Sequence, residues 1–60
     1  MENIRIERLK RNLRQLDVAE YLELSLNTYS RKEKQGGFTD KELKVLASKY
    51  GCTVDYLIQN

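Results

Sequence analysis

Apolar residues recur three and four positions apart along this sequence, and nowhere does a sustained run of β-branched residues alternate with polar ones. Such a chain hides its apolar surface by packing helices on helices, because a period near 3.6 gathers apolar side chains on a helix face and not on a strand. The expectation is an all-α fold. Proline is absent, and loop-like composition is confined to Gly36-Gly37 and Gly51. Five helices with short connections then account for nearly the whole chain.

Sixty residues, 40% of them hydrophobic, support one core and therefore one domain over 1–60. A domain this small is marginal and usually relies on disulfides, metal, a partner or well-ordered helix packing. Cys52 is the sole cysteine and there is no histidine, which excludes an internal disulfide and leaves no familiar zinc spacing. The same composition offers no Ser/His or Cys/His pair for covalent catalysis. The chain is read as a non-enzyme with no catalytic residue, metal or cofactor, and Cys52 as a small residue of the core or its margin. No apolar stretch approaches the ~20 residues of a membrane helix, and the N-terminus lacks a signal-like apolar segment; a cytoplasmic protein with no membrane contact is expected.

The first helix should start after an Asn3 cap and run to about Asn12, with Ile6, Leu9 and Leu13 facing inward. A second covers about Gln15 to Leu22 and buries Val18, Ala19 and Leu22. Ser25 suits the N-cap of a third that ends near Gln35, before the two glycines. Thr39 and Glu42 form a capping box for a fourth, with Phe38 at the staple position and Leu43, Leu46, Ala47 and Tyr50 inward. Gly51 stops it, and Thr53 caps a short fifth helix containing Val54, Tyr56, Leu57 and Ile58.

Net charge is +2 and the isoelectric point near 8.8, too mild to mark a nucleic-acid binder by itself. The distribution is more telling. Arg5, Arg8, Lys10, Arg11 and Arg14 crowd the first quarter, Arg31, Lys32 and Lys34 form a second group, and Asp17, Glu20 and Glu23 lie between them. Residues 15–35 read as a short helix, a tight connection around Glu23-Leu24 and a capped helix with one polar face. That arrangement leaves the leading end of the second helix projecting, where it can enter a DNA major groove. Ala19 is small where the two helices cross, and Val18, Leu24 and Tyr29 pack around the crossing.

The segment LRQLDVAEYLELSLNTYSRKE, residues 13–33, resembles the Xre/Cro (lambda repressor-like) helix-turn-helix family, and LASKYGCTVDYL, residues 46–57, resembles its closing helices. The pieces TYSRKE and FT are most similar to small Cro-like regulators of Gram-positive phages and prophages. The resemblance implies a compact five-helix lambda-repressor-like domain that binds double-stranded operator DNA. It also implies roles for particular residues. Leu26, Asn27 and Arg31 match base-reading positions, with Ser30 a weaker one; Asn27 suits adenine, Arg31 guanine and Leu26 a thymine methyl. Gln15 matches a phosphate contact at the start of the second helix. Arg14, Thr28, Lys34 and Lys41 are rim candidates for phosphate, ordinary solvated side chains being the other reading for the lysines. Arg8 and Glu33 match an ion pair tying the first helix to the third, with Arg8 also near phosphate; two independent surface charges are the alternative.

The chain departs from the family pattern at three positions. Glu23 stands in place of a left-handed glycine, at a strain of roughly 1 kcal/mol. Arg14 replaces a threonine cap. Lys32 replaces an apolar residue, so its stem should cover core while its ammonium reaches water. The reading is a sequence-specific repressor or Cro-like regulator acting as a homodimer on DNA, with no small-molecule ligand; Tyr50, Val54, Tyr56 and Ile58 are the expected self-association surface. The other class that fits is a protein-interaction module such as an antitoxin or antirepressor.

Overall fold

A computed structural model describes residues 1–59. They form α1 (Glu2–Lys10), α2 (Gln15–Tyr21), α3 (Leu26–Gln35), α4 (Asp40–Tyr50) and α5 (Val54–Ile58), with no strand among the described residues. None of these helices is long and apolar enough to cross a membrane. The packed pairs are α2 on α3, α1 on α3, and α5 on both α1 and α4. Ile4, Val18, Tyr29, Leu46 and Leu57 are fully enclosed at the centre, with Ala19, Phe38, Leu43, Ala47 and Tyr50 around them.

The caps follow local chemistry. Ser25, Thr39 and Thr53 each accept a hydrogen bond from the backbone N–H three residues on, and Glu42 completes the α4 box by accepting the Thr39 N–H at 2.8 Å. Helix ends show a pattern that composition hides. Three helices close with paired 6→1 and 5→2 backbone bonds around a left-handed residue: Leu13 to Arg8 and Asn12 to Leu9 after α1, Leu24 to Ala19 and Glu23 to Glu20 after α2, Cys52 to Ala47 and Gly51 to Ser48 after α4. The left-handed residues have φ of 56° at Asn12, 59° at Glu23 and 66° at Gly51. Only the last is glycine, so Glu23 carries the strain foreseen for it, and Asn12, a residue type that tolerates this region, carries less.

The orientation of α1 overturns the reading from apolar periodicity. Its inward residues are Ile4, Glu7 and Arg8, whereas Ile6 and Leu9 remain 37% and 46% exposed; only Leu13, beyond the helix, packs on the core as expected. A polar face is buried because it is satisfied: across the fold Arg8 finds the Glu33 carboxylate and Glu7 the Tyr56 hydroxyl, and Arg11 one turn on adds a charged partner to Glu7. Asn3 is not the cap either. The helix begins at Glu2, two residues earlier than an Asn3 cap would set it, and the Asn3 amide instead donates to the Tyr56 carbonyl at 2.7 Å, fastening α5. At the opposite end of the chain Tyr50 is only 4% exposed and Tyr56 is held by its hydroxyl on Glu7 at 2.9 Å. Tyr50 therefore belongs to the core and cannot form a self-association surface.

Candidate nucleic-acid interface

The outer flank of α3 is what the rest of the fold leaves open. Tyr29 and Glu33, four residues apart, turn inward and are buried, which turns Asn27, Arg31 and Lys34 out to solvent. Leu26 stands at the leading end with 43% exposure, and Ser30 and Thr28 are half-buried beside it. The Asn27 and Arg31 side chains make no hydrogen bond among the described residues, so their donors and acceptors face water. Thr28 is more constrained: its hydroxyl accepts from Ser25 Oγ at 2.9 Å and belongs to the cap.

The inner flank is fixed by one carboxylate. Arg8 grips Glu33 with two bonds, Nε to Oε2 at 2.8 Å and Nη2 to Oε1 at 3.1 Å, and donates a third from Nη1 to the Leu13 carbonyl at 2.8 Å. The Tyr29 hydroxyl donates to Glu33 Oε2 at 2.6 Å, and Gln15 Nε2 donates to Oε1 at 3.1 Å. Burial pushes the Glu33 carboxyl upward, but the bonds from Arg8, Tyr29 and Gln15 outweigh it and hold it below its ordinary range. Burial and the Glu33 bond raise the Tyr29 hydroxyl. Four side chains from α1, α2 and α3 thus set the angle at which α3 is presented.

This network reassigns Arg8. Its side chain is 9% exposed and its guanidinium is committed inside the fold, which answers the ion-pair reading and removes the expectation of a free phosphate contact. Gln15 does begin α2, with its amide oriented by Glu33. Arg14 occupies the N-cap position, and the lost threonine is partly replaced from within the helix. The Asp17 carboxylate accepts the Arg14 backbone N–H at 2.7 Å and its guanidinium at 3.1 and 2.8 Å. Those side-chain and backbone bonds from Arg14 hold Asp17 at about 2. Arg14 stays 74% exposed, so it faces solvent while paired.

A recess of about 280 Å³ lies where the starts of α1 and α2 meet α3; Arg5, Gln15, Ser30 and Lys34 are among the residues that line it. Arg5, paired with Glu2 at 3.0 Å, lines this recess although the sequence pattern assigned it no role of its own. Its one sequence signal is its place three residues before Arg8 on α1. Lys41 is exposed on the first turn of α4, away from this recess. Lys32 departs from expectation as well: its ammonium does not reach open water but bonds Glu42 Oε1 at 2.8 Å, with 15% of its side chain exposed. The ion pair joins α3 to the cap of α4 and substitutes for an apolar contact.

A short helix, a four-residue connection with one left-handed residue, Glu23, and a second helix with a free polar flank make up a helix-turn-helix. No curated protein and no solved structure matches the chain significantly. A family model described as Helix-turn-helix matches residues 4–57, so the chain belongs to the Xre/lambda repressor-like helix-turn-helix family of DNA-binding proteins.

Proposed function

We propose that this protein is a sequence-specific transcription regulator of the repressor or Cro type, working in the cytoplasm as one domain over residues 1–60. It binds operator DNA as a homodimer, with α3 of each protomer in the major groove. The observation that carries the reading is the contrast between the two flanks of α3: Tyr29 and Glu33 anchored inside, Asn27 and Arg31 without an internal partner outside. Asn27 pairs with adenine, Arg31 with guanine, Leu26 meets a thymine methyl and Ser30 assists at the groove edge. Gln15, Arg5 and Lys34 hold a phosphate at the recess, and Arg14, Thr28 and Lys41 contact the backbone on either side. One recognition helix buries little surface, so two half-sites about one helical turn apart, roughly 34 Å, supply the affinity.

Selection of random duplexes by the purified protein tests this directly and yields the operator. With that duplex, Arg31→Ala is expected to cost about 1–3 kcal/mol and to relax preference at one base pair. Gln15→Ala should weaken operator and random DNA alike, with a shallower dependence on salt. Failure to enrich any sequence, or equal losses on both DNAs for Arg31→Ala, would overturn base reading by α3.

A further inference from the structure

Four of the five arginines in the chain hold a carboxylate. Arg5 meets Glu2 at 3.0 Å, Arg8 meets Glu33 at 2.8 Å, Arg11 meets Glu7 at 2.9 Å and Arg14 meets Asp17 at 2.8 Å. Arg31 alone has no such partner among the described residues. Two of the pairs tie helices together, since Arg8 closes the cage on α3 and Arg11 continues to the Tyr50 carbonyl. The other two reach no further than their own turn, three residues along the chain, and both of their arginines are exposed.

The place of these two pairs gives them a use. Glu2 and Arg5 both line the recess shared with Gln15, Ser30 and Lys34, and Arg14 directly precedes Gln15 at the start of α2. These are the positions at which the proposed function sets DNA phosphates. A carboxylate and a phosphate present the same kind of charged oxygen to the same guanidinium N–H groups, so one must leave before the other can bind. We infer that Glu2 and Asp17 are intramolecular competitors of DNA phosphate for Arg5 and Arg14, attenuating backbone affinity while Arg31 stays free to read a base.

Exposed ion pairs are weak, so a phosphate can displace either carboxylate, and the competition lowers affinity without abolishing it. The displacement is the same event on any sequence. It therefore scales operator and random DNA together and leaves the choice of base to α3. The two pairs differ in grip. Arg5 makes one bond to Glu2, whereas Arg14 holds Asp17 through Nε and Nη2, and Asp17 also accepts the Arg14 backbone N–H. Asp17 is the stronger competitor and Glu2 the more readily displaced.

The inference rests on the DNA-binding function proposed above, and the experiment separates the two. Fluorescence anisotropy of the full chain is measured on the selected operator and on a random duplex of equal length, between about 50 and 200 mM salt. Wild type is compared with Glu2→Gln, Asp17→Asn and Asp55→Asn, each checked for helicity by circular dichroism. The amide of Asp17→Asn can still accept the Arg14 N–H, so the cap is kept. Asp55→Asn makes the same change in net charge at an exposed position on α5, outside the recess. Glu2→Gln and Asp17→Asn should each bind both duplexes about two- to fivefold more tightly, Asp17→Asn the more so. The slope of log K against log salt should steepen by up to about 0.9 for each phosphate no longer contested, and Asp55→Asn should do markedly less. A wild type that binds operator while Glu2→Gln and Asp17→Asn move affinity and slope no more than Asp55→Asn overturns the competition, as does tightening confined to the operator. A wild type that binds neither duplex at low salt overturns the DNA-binding function itself.

Discussion

Glu7 and Arg8 are neighbours on one helix, both buried, and they organise opposite sides of the molecule in opposite ways. Arg8 sends a buried cation into a nearly closed cage, its partner Glu33 having a side chain only 4% exposed. Glu7 offers a buried carboxylate to groups at the rim: Lys10 at 3.0 Å, Arg11 at 2.9 Å and the Tyr56 hydroxyl at 2.9 Å, with the Lys10 and Arg11 side chains 62% and 36% exposed. Arg11 continues to the Tyr50 carbonyl at 2.8 Å and lies 4.7 Å from the centre of the Tyr50 ring, so this second cluster binds α1 to α4 and α5. The difference teaches where one polar group is indispensable. A closed pair has no water to replace a lost partner, whereas a rim cluster has both water and spare donors.

The largest effect that would break this contrast is Glu33→Ala, which strands the Arg8 guanidinium, frees Tyr29 and Gln15, and is expected to cost about 3–5 kcal/mol. In a sixty-residue chain of marginal stability that leaves little folded protein at 25 °C, as urea titration followed by circular dichroism would read. Glu7→Gln should cost less, about 1–2 kcal/mol, because the amide oxygen still accepts from Arg11 while its NH2 can donate to the Tyr56 hydroxyl; a loss equal to that of Glu33→Ala would erase the distinction.

Acid sharpens the same comparison. Hydrogen bonds from Lys10, then Arg11 and Tyr56, hold Glu7 at about 2 against an ordinary 4.5, and Glu33 is lowered too. Depressed carboxyls stabilise the fold above their unfolded value and lose that contribution as pH falls through the folded one. The melting temperature should therefore drop between pH 4.5 and 2, and Glu7→Gln should flatten part of that slope. Next in size, Glu23→Gly relieves the left-handed backbone at φ 59° and is expected to gain up to about 1 kcal/mol, several degrees in melting temperature. Lys10→Ala, at the exposed end of the rim cluster, should change stability by no more than about 0.5 kcal/mol. A larger loss there would show that the rim behaves like the cage.

The helix number, the Ser25, Thr39 and Thr53 caps, the α4 face and the inward turn of Val18 and Ala19 were legible in the sequence, because each depends on residues within about one or two turns of one another. The polar flank of α3 was legible for the same reason. Contacts distant in sequence decided the rest. Which side of α1 is buried depended on Tyr56 and Glu33, 49 and 25 residues away from Glu7 and Arg8, and no local period contains that information. Lys32 looked like a cation seeking water until Glu42 came within 2.8 Å. Local spacing thus determined that this chain would be five helices with one of them presented outward. Tertiary packing decided which charges could be buried, since burying a charge is favourable only where the folded chain brings it a partner.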